Sequence, residues 1–156
     1  MVTDPAADQL FLREAIELSR RCPPSDSAFS VGAVIVAADG AVVATGYSRE
    51  SDHLDHAEEA ALAKVAGRLL PGATIYSSLE PCLRRLSRPQ SCCALITAAE
   101  IRRVVLAWRE PAVFVPGGGA AWLAEHGVSV TEIPELGPAA RAVNAHLVAD
   151  PPPGGG

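Results

Sequence analysis

Three places in the sequence carry side chains whose types and spacing can do chemistry: His56-Ala57-Glu58, Glu80-Pro81-Cys82, and the adjacent pair Cys92-Cys93. Imidazole and thiolate are donors that suit zinc, and a catalytic zinc keeps three protein ligands with its fourth position open to water. One histidine and two cysteines satisfy that count. A structural zinc closes with four protein ligands, which here would require both Cys92 and Cys93, and a tetrahedral centre rarely accepts neighbouring residues. Glu58 would have no purpose in such a closed site. In mid-helix its spacing from His56 puts the two side chains on nearly opposite faces, but at a first turn both can lean over the open helix end. A carboxylate held there beside a water can take its proton and deliver it to a departing amine. The rival reading of the whole chain is a structural zinc module or binding protein without catalysis.

These groups need elements to hold them. Asp8 to Arg21 carries Leu10, Phe11, Ala15, Ile16 and Leu18 near helical spacing, and Pro23-Pro24 stops that helix. Val31 to Val36 and Ala41 to Tyr47 are β-branched runs separated by Asp39-Gly40, a hairpin signal. His56 to Leu70, rich in Ala, Leu and Glu, predicts a helix ended by Pro71-Gly72. Strands are expected at Thr74 to Leu79, Arg103 to Trp108 and Val128 to Ile133. Helices are expected at Cys92 to Ala99, Ala120 to His126 and Pro138 to about Val148. Alternation of strand and helix in the second half implies an α/β fold with parallel later strands. His56 and Cys92 would then open helices, where free amide donors and the helix dipole favour a thiolate.

The 156 residues suit one domain, expected over 1–150, with Pro151 to Gly156 a disordered tail. At 49% hydrophobic and 20% charged, the chain reads as globular, and no apolar run reaches membrane-spanning length. A net charge of −5 and 4% aromatic residues argue against a nucleic-acid partner, which would need a basic, aromatic groove. The N-terminus lacks the pattern of a signal peptide, so a cytoplasmic location is expected, where cysteines serve as ligands or core residues rather than disulfides.

His56-Ala57-Glu58 with Pro81-Cys82 and a later cysteine resembles the signature of the cytidine-deaminase superfamily. Within it the chain is most similar to the deaminase domain of riboflavin biosynthesis, without the reductase domain. The similar stretches are Val31 to Val36, Leu79 to Cys82, Ile101 to Val105, Gly117 to Gly119 and Gly127 to Val130, so the likeness covers most of residues 8–147. It implies a three-layer α/β/α sandwich around a mixed five-stranded sheet, a bound Zn2+, and a homodimer or larger homo-oligomer. It also implies Glu58 as a catalytic residue that is not a ligand. Counting back from Ile101-Arg102-Arg103-Val104 assigns the metal to His56, Cys82 and Cys92, and leaves Cys93 pointing into the protein.

The pocket positions depart from the riboflavin pattern. Ser27-Ala28-Phe29 stands where that family has Pro-Asn-Pro, Ser48 replaces a histidine after Gly46-Tyr47, and Leu83-Arg84 replaces Ser-His after Cys82. Changed polar groups imply a changed ligand, because a buried donor or acceptor left unpaired rejects the wrong one. The expected reaction is hydrolytic deamination of a small aminopyrimidine or aminopurine, free or as its nucleoside. The riboflavin-pathway diaminopyrimidine ribosyl phosphate is the alternative. Phe29 and Ser48 are candidate substrate contacts, and Arg84, Arg85 and Arg88 are either a solvated cluster or the binders of an anionic group. Cys22, His126 and His146 are read as non-functional, His53 as a solvated loop histidine with a substrate contact as its alternative, and Trp108 and Trp122 as core residues.

Overall fold

The computed structural model describes residues 4–85, 88–109, 111 and 118–148, so the expected 151–156 tail lies outside the described residues. Helix α1 spans Pro5–Ser19 and starts before the expected Asp8, because Asp4 accepts the Ala6 N–H at 3.0 Å and Pro5 occupies the first turn. Strands β1 (Gly32–Val36) and β2 (Val42–Tyr47) pair antiparallel through the predicted turn, where Gly40 takes φ +90°. Helix α2 covers only Ala57–Ala63, with Gly67 at φ +81° beyond it. The rest of the expected helix is drawn away where the Leu70 N–H reaches the Ala99 carbonyl at 2.8 Å.

Strand β3 (Thr74–Ser77) lies antiparallel to β1 and parallel to β4 (Arg103–Leu106), which is parallel to β5 (Ser129–Glu132). The resulting mixed sheet has the order β2-β1-β3-β4-β5. Helices α3 (Cys92–Ala98) and α4 (Gly119–Glu125) make the two parallel crossovers, and a short 3-10 turn, Pro134–Leu136, leads into α5 (Gly137–Val143). Helix α5 is shorter than expected because Asn144, at φ −110°, leaves the helix and turns its side chain to Ser30.

Two glycines show how the layers are stacked. A Cβ on Gly32 would run into the Ala15 carbonyl of α1, and one on Gly46 would lie 2.5 Å from the Ala57 carbonyl and the Ala61 nitrogen of α2. Gly46 pairs with Ala33, the residue after Gly32, so the two close approaches are on opposite faces of the sheet. Helix α1 therefore covers one face and α2 the other, which gives the expected α/β/α sandwich. Ala33, Val34, Ile35, Ile75, Val104 and Val105 are fully buried between the layers. Among the described residues no helix is long and apolar enough to cross a membrane.

On the α1 face of the sheet, opposite to the face that carries Ser77, a charged network lies inside the core. Arg103 on β4 donates to Asp8 of α1 at 2.8 and 2.5 Å, and the Tyr76 hydroxyl donates to the same carboxylate at 2.6 Å. The Arg103 hydrogen bond holds the Asp8 carboxyl below its ordinary value of 3.8. A folded value below the unfolded one means that this stabilisation is complete above the ordinary value and fades as pH falls through it toward the folded value. Asp8→Asn should destabilise the protein by about 3–5 kcal/mol near neutral pH, because it leaves the Arg103 guanidinium buried and unpaired. Urea midpoints at pH 7 and pH 3 check this; a difference between wild type and variant that does not shrink at the lower pH would refute the ion pair's contribution.

Candidate metal centre and active site

The candidate site lies at the carboxyl end of β3, where the ends of parallel strands and the starts of helices converge, the usual place for a ligand in an open α/β sheet. His56 caps α2, and its N–H reaches the Glu59 carboxylate at 3.2 Å, so the helix start and the imidazole are fixed together. Cys92 is the first residue of α3, whose N-cap Ser91 accepts the Ala94 N–H at 3.1 Å. Cys82 lies in the turn after β3. That turn is held from both sides: the Cys92 N–H points at Cys82 Sγ at 3.2 Å, and the Cys93 N–H donates to the Cys82 carbonyl at 3.2 Å. On the far side a Cβ at Gly119 would collide with the Pro81 carbonyl, so α4 can pack this closely only through glycine.

The donor atoms of His56, Cys82 and Cys92 all lie within 4.8 Å of one another, with Cys92 Sγ 3.4 Å from His56 Nδ1. One nitrogen and two sulfurs converging with a side left open is a donor set that fits zinc. Within the thiol pair, the hydrogen bond from Cys92, and after it His56 and the Cys92 amide, hold the Cys82 thiol far below its ordinary value. The same hydrogen bond, burial and the Glu58 charge push the Cys92 thiol up. Zinc binds the thiolate form, so metal binding at this pair would release thiol protons. Cys93 points elsewhere: fully buried, it faces the Pro81 and Gly119 carbonyls at 3.5 and 3.7 Å.

Glu58, in the first turn of α2, is 3% exposed, and its carboxylate faces Ser77 Oγ at 2.5 Å. Burial pushes its carboxyl up, and the Ser77 hydrogen bond opposes that shift. His56, Glu58 and Cys82 line a cavity of about 450 Å3, together with Phe29, Ser48, Arg49, Arg84 and Arg85. Phe29 is held there edge-to-face against Trp108, with ring centroids 5.5 Å apart. The Ser48 hydroxyl already accepts the Val31 N–H at 2.9 Å, so it closes the end of β1. The three arginines separate. Arg85 meets Glu59 at 3.2 Å with its side chain 3% exposed, and Arg88, which does not itself line the cavity, meets Asp52 and Asp55 at 3.2 and 3.4 Å. Arg84 is exposed, lines the cavity, and has no ion pair among the described residues.

Of the other residues weighed in the sequence, His53 is placed among the cavity-lining residues. The Cys22 thiol is half-buried and pushed up by burial, and the His53 side chain is 85% exposed beside Asp52. His126 stacks on Trp122 at 3.7 Å, and His146 contacts the Ser25 carbonyl at 2.8 Å. Sequence reading missed Ser77, Arg49 and Asn144. The Arg49 guanidinium donates to the Pro23 and Phe29 carbonyls and to Ser30 Oγ, at 2.7 to 3.1 Å. Asn144 accepts the Ser30 N–H at 2.6 Å and donates to the Ser30 carbonyl at 3.0 Å. Together they pin the cavity wall from Pro23 to Ser30. No local pattern marks such residues, because their partners are distant in sequence.

Comparison with known proteins agrees with this geometry. Residues 5–108 match the family described as the cytidine and deoxycytidylate deaminase zinc-binding region. The chain is 41% identical over 135 residues to a diaminohydroxyphosphoribosylamino-pyrimidine deaminase of Schizosaccharomyces pombe, covering 84% of this chain and 33% of that one. It is 32% identical over 127 residues to a protein of the same name from Buchnera aphidicola, covering 79% of this chain and 82% of the other. The solved structure of Acinetobacter baumannii RibD superposes with a TM-score of 0.78 at 30% identity, covering 91% of this chain and 39% of that one. The chain thus spans about a third of the length of several curated relatives it matches. With the sheet order, the donor set and the matched region in agreement, the chain belongs to the zinc-binding cytidine and deoxycytidylate deaminase family.

Proposed function

We propose that the chain catalyses hydrolytic deamination of an aminopyrimidine carrying a ribosyl phosphate, with His56, Cys82 and Cys92 as zinc ligands and Glu58 as proton carrier. One observation carries the chemistry: a nitrogen and two sulfur donors within 4.8 Å of one another at a cavity that also exposes a buried carboxylate. Bound there, zinc supplies the Lewis acidity that makes water nucleophilic near neutral pH. Water adds to the ring carbon bearing the amino group, the carbon–nitrogen bond breaks, and ammonia leaves. Glu58 accepts the proton that the water loses and returns it to the departing nitrogen. Phe29, fixed by Trp108, gives the heterocycle an apolar wall.

The names of the relatives support the phosphorylated substrate, and Arg84 is the cation suited to its anion, since Arg85 and Arg88 already face carboxylates. An unphosphorylated base or nucleoside is the competing reading, favoured by a Ser48 hydroxyl engaged with Val31 and by a cavity Arg49 whose donors already go to the Pro23 and Phe29 carbonyls and Ser30 Oγ. The homo-oligomer and the cytoplasmic location expected from the sequence belong to the same proposal. Ammonia release should be measured across aminopyrimidines, aminopurines, their nucleosides and the ribosyl phosphate. With the ribosyl phosphate, Arg84→Ala should raise KM about 10-fold or more and weaken its salt dependence, as loss of a charge-assisted hydrogen bond does. Turnover of free bases or nucleosides with a silent Arg84→Ala would remove the phosphate from the proposal and leave the deamination standing.

A further inference from the structure

Ser77 ends β3 and is locked on both sides of the sheet, opposite Ala33 in β1 and Leu106 in β4. It is fully buried, so its hydroxyl has no water to turn to. Two acceptors lie within reach of that hydroxyl: Glu58 Oε1 at 2.5 Å and the Leu79 carbonyl at 2.7 Å. A serine hydroxyl has one proton to donate and lone pairs to accept with, and a backbone carbonyl only accepts. Ser77 can therefore satisfy one acceptor at a time.

A carboxyl without a directional neighbour can turn about its last side-chain bond, and a hydroxyl 2.5 Å from Oε1 removes that freedom. Ser77 is itself held by the strands on both sides, so the sheet sets where this contact lies. A buried polar group deprived of such a partner loses its hydrogen bond with no solvent to replace it.

We propose that Ser77 is the positioning residue for Glu58, holding its carboxyl in one orientation while it accepts and returns the reaction proton. This rests on the reading of Glu58 as proton carrier. Ser77 belongs neither to the donor set nor to the cavity lining, and it reaches the site through Glu58 and the Leu79 carbonyl, both residues that line the cavity.

The test compares Ser77→Thr, which keeps the hydroxyl, with Ser77→Val, which has the same shape without it. Relative to Ser77→Thr, Ser77→Val should lower kcat about 10- to 100-fold, the size of a lost hydrogen bond to a charged group. KM and zinc content should stay within about twofold of each other in the pair, since neither substrate binding nor a ligand is altered. Ser77→Ala, which leaves room rather than adding a methyl, should reproduce the kcat loss and guards against a packing failure in the larger variants. A second readout needs no turnover. The infrared carboxyl band that disappears in Glu58→Gln should be displaced in Ser77→Val and Ser77→Ala and stay in place in Ser77→Thr. Equal kcat for Ser77→Thr and Ser77→Ala, or an unmoved Glu58 band, overturns the proposal. If the wild-type protein deaminates nothing, the proton-carrier reading fails, while the band still decides whether Ser77 orients Glu58.

Discussion

Glu58→Gln should bind zinc as the wild type does and lose about 10²- to 10⁴-fold in kcat, the contribution of a positioned proton-transfer group. The substitution keeps the shape of the side chain and its place in the first turn of α2, where Glu58 is almost wholly buried. The amide oxygen can still accept from Ser77, so the site should keep its form. What the amide cannot do is bind and release a proton. Zinc content is the control that gives the kinetic loss its meaning, because the three converging donors belong to His56, Cys82 and Cys92 and exclude Glu58. Metal loss in Glu58→Gln would make the carboxylate a ligand and close the site with four protein donors, the arrangement of a structural zinc. Retained turnover with zinc in place would leave proton transfer to another group.

The parts of this site that were legible in the sequence are those fixed by short-range rules. His56-Ala57-Glu58 reads as a helix start with two functional side chains on one open end, and the structure puts His56 at the N-cap with Glu58 in the first turn. Asp39-Gly40 marks the β1–β2 turn because a tight hairpin needs a residue at positive φ, and Gly40 takes +90°. Element ends were less legible where tertiary contacts override propensity. The Ala-rich run after His56 predicts a helix to Leu70, but it stops at Ala63 and the chain is captured by the Ala99 carbonyl. The arginines show the same limit. Arg84, Arg85 and Arg88 look alike as a charged cluster, and only folding reveals that Asp52, Asp55 and Glu59 stand opposite two of them. Ser77 is illegible for another reason: a serine within a strand acquires meaning only from the carboxylate placed 2.5 Å away by a helix that begins 20 residues earlier at Ala57.

Two neighbouring cysteines should respond in opposite ways to the same substitution. Cys92 Sγ stands 3.4 Å from His56 Nδ1 and belongs to the converging donor set, whereas Cys93 Sγ faces the Pro81 and Gly119 carbonyls. One helical step of about 100° separates the two side chains, so the register of α3 decides which of them meets the metal. Cys92→Ser replaces a soft thiolate by a hydroxyl that stays protonated and binds zinc poorly, and zinc affinity should fall by more than about 100-fold, beyond the effect of altering an outer-shell partner. Cys93→Ser should keep the metal. Its smaller, more polar side chain sits in a fully buried place beside two carbonyls that can accept from it, so a stability loss of about 1–2 kcal/mol is expected from imperfect packing. Elemental analysis of both purified variants, with urea midpoints alongside, separates these effects. Zinc lost from Cys93→Ser and kept in Cys92→Ser would mean that α3 is rotated by one residue. Loss from both, with Cys93→Ser still fully folded, would mean that both sulfurs hold the ion in a closed site, and the deaminase mechanism would have no open position for water.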